Sequence, residues 1–344
     1  DWKKEKFTHY RHDPNNPASL PTDYLHCLAI DHEGTLWVGT SRGGLSMYDR
    51  KADKFITYVH NPDNPNTLSG NSVTGIIEDK EHNLWAGTLS DGLNLFDKKG
   101  KSFKGFTQQQ NNNLPVPIAV ETLYTDSKDR LWIPTREGLY LFDRENETFR
   151  HFKHESGNPN SISHNVVLSI QEDDAGILWI GTENGGLSLY NADKDIFINY
   201  KQDDVDGWSL NNNSIWSLYK DRKGNMWVGT FSGGINFVNR DASNFTHYRH
   251  TSSPQSLSNN SVWAVFEDSG NNLWIGTDGG GLNMLDRKRG TFTSYIHDGT
   301  SESICGNYVL SLAQDGNENL WIGTWGSGIT VFNKKKNTFR HYTH

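Results

Sequence analysis

The 344-residue sequence is poor in cysteine and has no long apolar run. Its two cysteines, Cys27 and Cys305, cannot supply a framework of disulfides, so stability must come from a packed core. No stretch approaches the roughly 20 apolar residues that a membrane helix needs, and residues 1–6 do not resemble a signal peptide. These absences indicate either a soluble protein or a segment of a larger one, with no membrane contact of its own.

Clustered positive charge is also missing. The formal net charge is −8, and lysine and arginine form no block along the chain. Because affinity for phosphate backbones depends on clustered cations, we expect no nucleic-acid partner.

Tryptophan and glycine, in contrast, are abundant and regularly spaced. A segment of the type "NNLWIGTDGGGLNML" recurs seven times, with its tryptophans separated by 48, 47, 47, 48, 47 and 47 residues. An aspartate stands six residues before each tryptophan. The tryptophans are Trp37, Trp85, Trp132, Trp179, Trp227, Trp274 and Trp321.

Each repeat predicts four short strands joined by tight turns. In one copy these are "SVWAVFED" (strand A), "NLWIGT" (B), "GLNMLD" (C) and "FTSYIH" (D). Seven such units are typical of an all-β, seven-bladed β-propeller of four-stranded antiparallel blades, which would form a single domain over residues 1–344. The repeated tryptophans are predicted to pack as wedges between blades. The glycine run is then a turn between strands B and C, since a phosphate-binding loop would open a helix.

The two ends of the chain carry similar sequences. Residues 1–12 and 333–344 compete for the outer strand of the blade that holds Trp321, because Phe7 and Phe339 occupy equivalent strand D positions. We expect the N-terminal strand to close the ring, since this would tie the two ends together and cover an open edge.

The unit "SLSNNSVWAVFEDSGNNLWIGTDGGGLNMLD" resembles the two-component regulator propeller repeat, and the resemblance extends over essentially the whole chain. It implies one propeller from the periplasmic sensor region of a hybrid two-component system histidine kinase of glycan-degrading gut bacteria. The implied function is non-catalytic recognition of an oligosaccharide, without a cofactor. The implied neighbours are a second propeller and an immunoglobulin-like domain of the parent chain, with a homodimer also open. A repeat defines a scaffold and does not by itself prove a function.

Candidate ligand-binding residues are those that break the repeat near the B–C turns and the start of strand A, where ligands usually enter a propeller. Aromatic rings suit the C–H faces of sugars, and polar side chains suit their hydroxyl groups. The predicted set is Tyr24, His26, Arg42, Glu121, Arg136, Trp216, Phe231, Trp263, Asp278, Tyr308 and Trp325.

Each candidate also has a structural interpretation. Arg42 and Arg136 could bind the carboxylate or sulfate of an acidic sugar, or could be solvated turn residues. Trp216 and Trp263 could equally pack at the mouth of the channel. Trp2 is expected to pack at the end of the chain, and Trp208 lies in a D–A connection.

Catalysis and metal binding have little support in the sequence. The aspartates six residues before each tryptophan are expected to cap turns, and "DSGNN" lacks the alternating acids of a calcium loop. The histidines that follow the strand D phenylalanines would lie on different blades, so no metal site is predicted. A propeller glycoside hydrolase or polysaccharide lyase, with Glu121 and His26 as acid and base, remains an alternative. A protein-interaction platform is another.

The third repeat departs most from the pattern. Pro134 stands where the other repeats have glycine, the B–C turn is one residue shorter, and the preceding connection is rich in glutamine, asparagine and proline. Such irregular units are places where a function or an interface can be located.

Overall fold

The computed structural model describes residues 10–107, 119–203, 209–239 and 245–342. These residues form seven four-stranded antiparallel sheets and no helix. The predicted fold class, a seven-bladed β-propeller, is therefore confirmed. The chain divides into two compact units, residues 1–168 and 169–344, with the boundary inside strand β13.

The first unit contains three blades, each built from consecutive strands. Blade 1 comprises β1 (Leu25–Ile30), β2 (Leu36–Thr40), β3 (Leu45–Asp49) and β4 (Lys54–Tyr58). Blade 2 comprises β5 (Val73–Glu78), β6 (Leu84–Thr88), β7 (Gly92–Asp97) and β8 (Ser102–Phe106). Blade 3 comprises β9 (Tyr124–Thr125), β10 (Leu131–Thr135), β11 (Gly138–Asp143) and β12 (Thr148–Phe152).

Four blades follow, and all but the first residues of β13 belong to the second unit. Blade 4 comprises β13 (Val167–Glu172), β14 (Leu178–Thr182), β15 (Leu187–Asn191) and β16 (Ile196–Tyr200). Blade 5 comprises β17 (Ile215–Lys220), β18 (Met226–Thr230), β19 (Ile235–Val238) and β20 (Phe245–Tyr248). Blade 6 comprises β21 (Val262–Glu267), β22 (Leu273–Thr277), β23 (Gly281–Asp286) and β24 (Thr291–Tyr295). Blade 7 comprises β25 (Val309–Gln314), β26 (Leu320–Thr324), β27 (Gly328–Asn333) and β28 (Thr338–Tyr342).

An aspartate–tryptophan pair fixes the A–B turn of every blade. In blade 5, one carboxylate oxygen of Asp221 accepts backbone N–H groups of Lys223 and Asn225, and the other accepts the indole N–H of Trp227 at 3.0 Å. The same indole bond measures 2.8–3.0 Å in the other six blades. The prediction that these aspartates cap turns is confirmed, and the bond to tryptophan explains their fixed spacing.

The apolar core lies between successive blades. Trp37 of blade 1 packs against Phe96 of blade 2, with ring centroids 5.1 Å apart, and Trp274 of blade 6 packs against Phe332 of blade 7. Trp85, Trp179 and Trp227 belong to equivalent clusters at the next junctions within each unit. These five of the seven repeated tryptophans are thus wedges between blades, as predicted.

Glycine at the start of strand C is a steric requirement. Gly281 has φ +76°, and a Cβ there would lie 2.4 Å from the carbonyl oxygen of Tyr295 on strand D. Gly44 and Gly234 also have positive φ, +87° and +88°, and a strand D carbonyl that a Cβ would meet at 2.2 and 2.3 Å. The glycine run is therefore a B–C turn, as the repeat predicted.

The outer strand of blade 7 comes from the C-terminal segment, since β28 pairs with β27 from Ile329↔Tyr342 to Asn333↔Thr338. We expected the N-terminal strand at this edge, and the C-terminal strand holds it instead. Residues 1–9, including Trp2 and Phe7, lie outside the described residues, as does Trp208.

Blade 3 is irregular in the structure too. Its strand A is reduced to the two residues of β9 and an isolated bridge between Val120 and Thr135. Most of the unusual connection before it, residues 108–118, lies outside the described residues.

Candidate functional site

A β-bulge near the start of strand A sets one side chain apart in each of five blades, 1, 2, 5, 6 and 7. In blade 5, Ile215 pairs with Thr230 and Ser217 pairs with Gly229, so Trp216 is the extra residue between them. The same shift makes Trp263 the extra residue in blade 6, His26 in blade 1, Thr74 in blade 2 and Leu310 in blade 7. A bulged residue lacks a cross-strand partner, and bulges commonly redirect a side chain next to functional sites. The bulged residue therefore occupies a position near the start of strand A at which the sequence varies from repeat to repeat.

Three aromatic residues of the second unit form what we call the aromatic shelf: Trp216, Phe231 and Trp263. The rings of Trp216 and Trp263 are nearly parallel, at 9° with centroids 6.3 Å apart, and Phe231 stacks on Trp216 at 5.7 Å. Trp216 is 41% exposed and Phe231 47% exposed. The shelf thus presents large apolar rings to solvent.

Polar groups hold and border the aromatic shelf. The backbone N–H of Phe231 donates to the carbonyl of Ser214 at 3.0 Å, and the hydroxyl of Ser261 from blade 6 donates to the carbonyl of Phe231. Beside Phe231, the amide of Asn212 donates to the hydroxyl of Ser232 at 2.9 Å. The turn that carries Phe231 is therefore fixed from two blades and has polar groups at its rim.

Tyr308 lies against the B–C turn of the preceding blade. A Cβ at Gly279 would be 3.7 Å from its ring, which places Tyr308 beside the turn that carries Asp278. The backbone N–H of Trp325 donates to the carbonyl of Tyr308 at 2.9 Å, and the Trp325 side chain is 69% exposed. Blades 5 to 7 thus carry all six predicted site residues of the second unit near the start of strand A or in B–C turns.

In the first unit, the structure brings Glu121 and Arg136 together. The guanidinium donates to the Glu121 carboxylate, and the arginine remains more than half exposed. The pair lies in the irregular blade 3. Since its positive charge is already matched by a carboxylate, Arg136 is a weaker anion site than the sequence suggested.

The other candidates of the first unit lie in blade 1. Tyr24 is exposed, and its carbonyl accepts the N–H of Ser41 at 2.9 Å. Arg42, the next residue in that turn, is exposed and has φ 65°, and its own N–H donates to the hydroxyl of Ser72 in blade 2. His26 is exposed in the bulge. Nothing in these contacts pairs His26 with Glu121 as an acid and a base.

Sequence reasoning missed one cluster. His32, Glu78 and His82 come together at the A–B turns of blades 1 and 2, and their potential ligand atoms all lie within 4.8 Å of one another. These histidines follow strand A instead of strand D, so the periodic pattern of histidines did not point to them. The available signal was the presence of histidine in two consecutive A–B turns.

These features define a repeat-built β-propeller with a uniform frame and a variable, partly aromatic edge. Six segments match the family described as two component regulator propeller: residues 19–42, 67–90, 161–184, 209–232, 256–279 and 303–326. Each of these six segments matches a repeat of that family, and the segment around Trp132 is not among them.

Several solved structures share the propeller fold of this chain. The chain is 26% identical, with a TM-score of 0.50, to the extracellular domain of a protein assigned as the hybrid two-component system BT3049 of B. thetaiotaomicron, covering 96% of this chain and 49% of that one. PorZ, a surface component of the type-IX secretion system of Porphyromonas gingivalis, shares the fold at 17% identity and TM-score 0.68, over 91% of this chain and 47% of that one. Virginiamycin B lyase from Staphylococcus aureus shares it at 12% identity and TM-score 0.57, over 83% and 87%.

The chain therefore spans about half the length of the BT3049 extracellular domain that it matches. No curated protein matches the sequence. The described residues include no helix that could cross a membrane. The family model describes a regulator propeller of two-component systems, and the BT3049 structure is an extracellular domain.

Proposed function

We propose that this chain is a non-catalytic, carbohydrate-sensing propeller in the periplasmic region of a hybrid two-component signalling protein. The aromatic shelf carries the proposal. Trp216 and Phe231 expose their rings, and the partly buried Trp263 stacks on Trp216, although burial of such rings is strongly favourable and the same blades bury their repeated tryptophans. Exposed aromatic planes with hydroxyl and amide groups at their rim suit a sugar ring.

The composition of the turns supports a neutral glycan at the aromatic shelf. The B–C turns of blades 4 to 7 read Glu-Asn-Gly, Phe-Ser-Gly, Asp-Gly-Gly and Trp-Gly-Ser, without a lysine or arginine. Hydroxyl groups of a neutral sugar would pair with Asp278, Asn212 and Ser232, whereas a sulfate or carboxylate would be repelled by Asp278. The two arginines that suggested an acidic sugar, Arg42 and Arg136, belong to turns of the first unit.

The indole N–H of Trp263 adds a polar contact to the aromatic shelf. It is buried and has no hydrogen-bond acceptor among the described residues. Buried N–H groups normally have an acceptor. A glycan hydroxyl that enters beside the ring would supply one.

Signal transfer would need further domains. Since a related extracellular region is about twice as long as this chain, we propose that ligand occupancy is passed to a neighbouring propeller and an immunoglobulin-like domain of a longer parent chain. A homodimer would offer a second route.

The test is a panel of neutral and anionic oligosaccharides from host and plant glycans, followed by melting temperature and by analysis of the sugars after incubation. We expect a neutral oligosaccharide to raise the melting temperature and to be recovered uncleaved. Cleaved product would identify an enzyme instead. Absence of any shift with the whole panel would contradict carbohydrate sensing by this chain and favour an interaction platform.

Two variants locate the site. Trp216→Ala and Trp263→Ala should each lower the affinity by roughly fivefold to thirtyfold, because stacking on a ring is worth about 1–2 kcal/mol. Tyr10→Ala, which removes an exposed aromatic residue of blade 1 remote in sequence from the aromatic shelf, is the control and should bind normally. Unchanged affinity in both tryptophan variants would exclude the aromatic shelf as the site.

A further inference from the structure

A histidine–glutamate–histidine cluster joins the A–B turns of blades 1 and 2, apart from the aromatic shelf. The Nδ1 atom of His32 lies 2.7 Å from Oε1 of Glu78, and Nδ1 of His82 lies 4.0 Å from the same oxygen. The two imidazole rings are stacked, with centroids 3.7 Å apart. All three residues belong to the first unit.

The cluster has the composition of a metal site. Two imidazoles and one carboxylate are ligands that Zn²⁺ prefers, and they leave a fourth position for water. Metal–ligand distances of about 2.0–2.2 Å place neighbouring ligand atoms of a tetrahedral ion roughly 3.3 Å apart. The observed separations of 2.7 and 4.0 Å lie on either side of that value, and the histidine ligand atoms lie within 4.8 Å of each other, so side-chain rotations would bring the three groups to one ion.

We propose that His32, Glu78 and His82 bind a divalent transition-metal ion of the Zn²⁺ type, which would link blades 1 and 2 at their A–B turns. A comparison with blades 5 and 6 shows which contact of the cluster belongs to the repeated frame. The backbone N–H of His32 donates to Glu78 at 2.6 Å, and that of Arg222 donates to Glu267 at 2.9 Å in blades 5 and 6. The glutamate therefore has a repeated role in the frame, whereas the two histidines belong to this junction.

The frame holds the ligands in place. His32 follows Asp31, which is fixed by Trp37, and the N–H of His82 donates to the carbonyl of Asp79 at 3.0 Å. Glu78 ends strand β5. Three ligands on a strand and two anchored turns lose little freedom when an ion binds.

The Lys98 ammonium would compete with a metal ion for the Glu78 carboxylate. Its ammonium lies 3.0 Å from Glu78 and 3.7 Å from Asp31, so it can stay with Asp31 when an ion takes Glu78. The Glu78 carboxylate is therefore available as a ligand once Lys98 pairs with Asp31.

The experiment is calorimetric titration of ZnCl₂ into the untagged chain at neutral pH after dialysis against a chelator. We expect one equivalent to bind with higher affinity than any other and to raise the melting temperature. The double variant His32→Gln/His82→Gln should lose that equivalent, and Glu78→Gln, which keeps an acceptor for the His32 N–H, should weaken it at least tenfold.

His164→Gln is the matched control, since His164 lies in the same unit outside the cluster, and it should bind zinc as the unaltered chain does. Melting in chelator shows whether each variant is folded, and visible absorption of the Co²⁺-loaded chain provides a readout of ligand geometry in variants that are less stable. Absence of zinc binding, or an unchanged equivalent in the folded double variant, would overturn the proposal.

Discussion

Blade 5 holds two tryptophans on adjacent strands with opposite surroundings. Trp227 on β18 is 1% exposed, donates to Asp221 and belongs to the core cluster between blades 5 and 6. Trp216 on β17 is 41% exposed, sits in a bulge and stacks on Phe231 and Trp263 of the aromatic shelf. The two residues are chemically identical, so position alone separates a tryptophan that maintains the fold from one that is exposed to solvent.

The same contrast holds between positions of the repeat when all the blades are compared. The positions that face the neighbouring blade or cap the A–B turn hardly change, because each is fixed by packing or by a buried hydrogen bond. The bulge position changes from histidine to threonine, tryptophan and leucine because no cross-strand partner restricts it. Recognition can thus vary without loss of the frame.

Replacing the two tryptophans should separate these roles most clearly. Trp227→Ala should lower the free energy of unfolding by about 3–5 kcal/mol through the cavity it leaves, and Trp216→Ala by less than about 1 kcal/mol. Urea denaturation monitored by circular dichroism gives both values. Equal losses in the two variants would mean that Trp216 is also a core residue.

The buried carboxylate of Asp268 should be the next most sensitive position. It accepts the N–H groups of Trp274 and Asn272 and the ammonium of Lys334. Asp268→Asn should cost about 2 kcal/mol, since it weakens bonds to a charged group. Asp286→Asn in the same blade, where the side chain is 33% exposed, is the control and should cost under about 1 kcal/mol in the same denaturation assay.

The lowered pKa of Asp268 predicts that the protein loses stability in acid. Burial would raise the pKa of Asp268, but bonds from Lys334, Asn272 and Trp274 outweigh it and lower the pKa to about 2. Its contribution is therefore complete above about pH 4, the usual pKa of aspartate, and is lost as the pH falls towards about 2. Melting temperatures should fall less steeply across this window in Asp268→Asn. Parallel profiles would contradict the role assigned to this carboxylate.

A smaller effect is expected from crowding at the blade junction. A Cβ at Gly229 would lie 2.3 Å from the Ser217 hydroxyl and 2.9 Å from Val262 of blade 6, so Gly229→Ala should lower stability by about 1–2 kcal/mol. Gly316→Ala is the control, because a Cβ there would meet nothing within 4 Å. It should lie within about 0.5 kcal/mol of the unaltered chain. An unchanged free energy of unfolding in Gly229→Ala would show that the blades are less tightly packed than the structure indicates.

The sequence alone predicted the fold because each frame residue repeats its environment seven times. The period of Trp37 to Trp321, the aspartates and the turn glycines were sufficient for the blade count and strand order. Site geometry could not be obtained in this way, since it depends on side chains that do not repeat. The bulge at Trp216 and the meeting of His32 with His82 depend on backbone pairing and on contacts between blades, which periodicity does not report.

The central claim is that a sugar stacks on the bulged tryptophans while the frame stays unchanged. Saturation-transfer difference NMR of a bound neutral oligosaccharide, with the unaltered chain and the Trp216→Ala/Trp263→Ala variant, tests it most directly. We predict strong transfer to the C–H protons of one sugar face in the unaltered chain, and its loss in a variant that remains folded. Transfer of equal strength in the variant would contradict the claim.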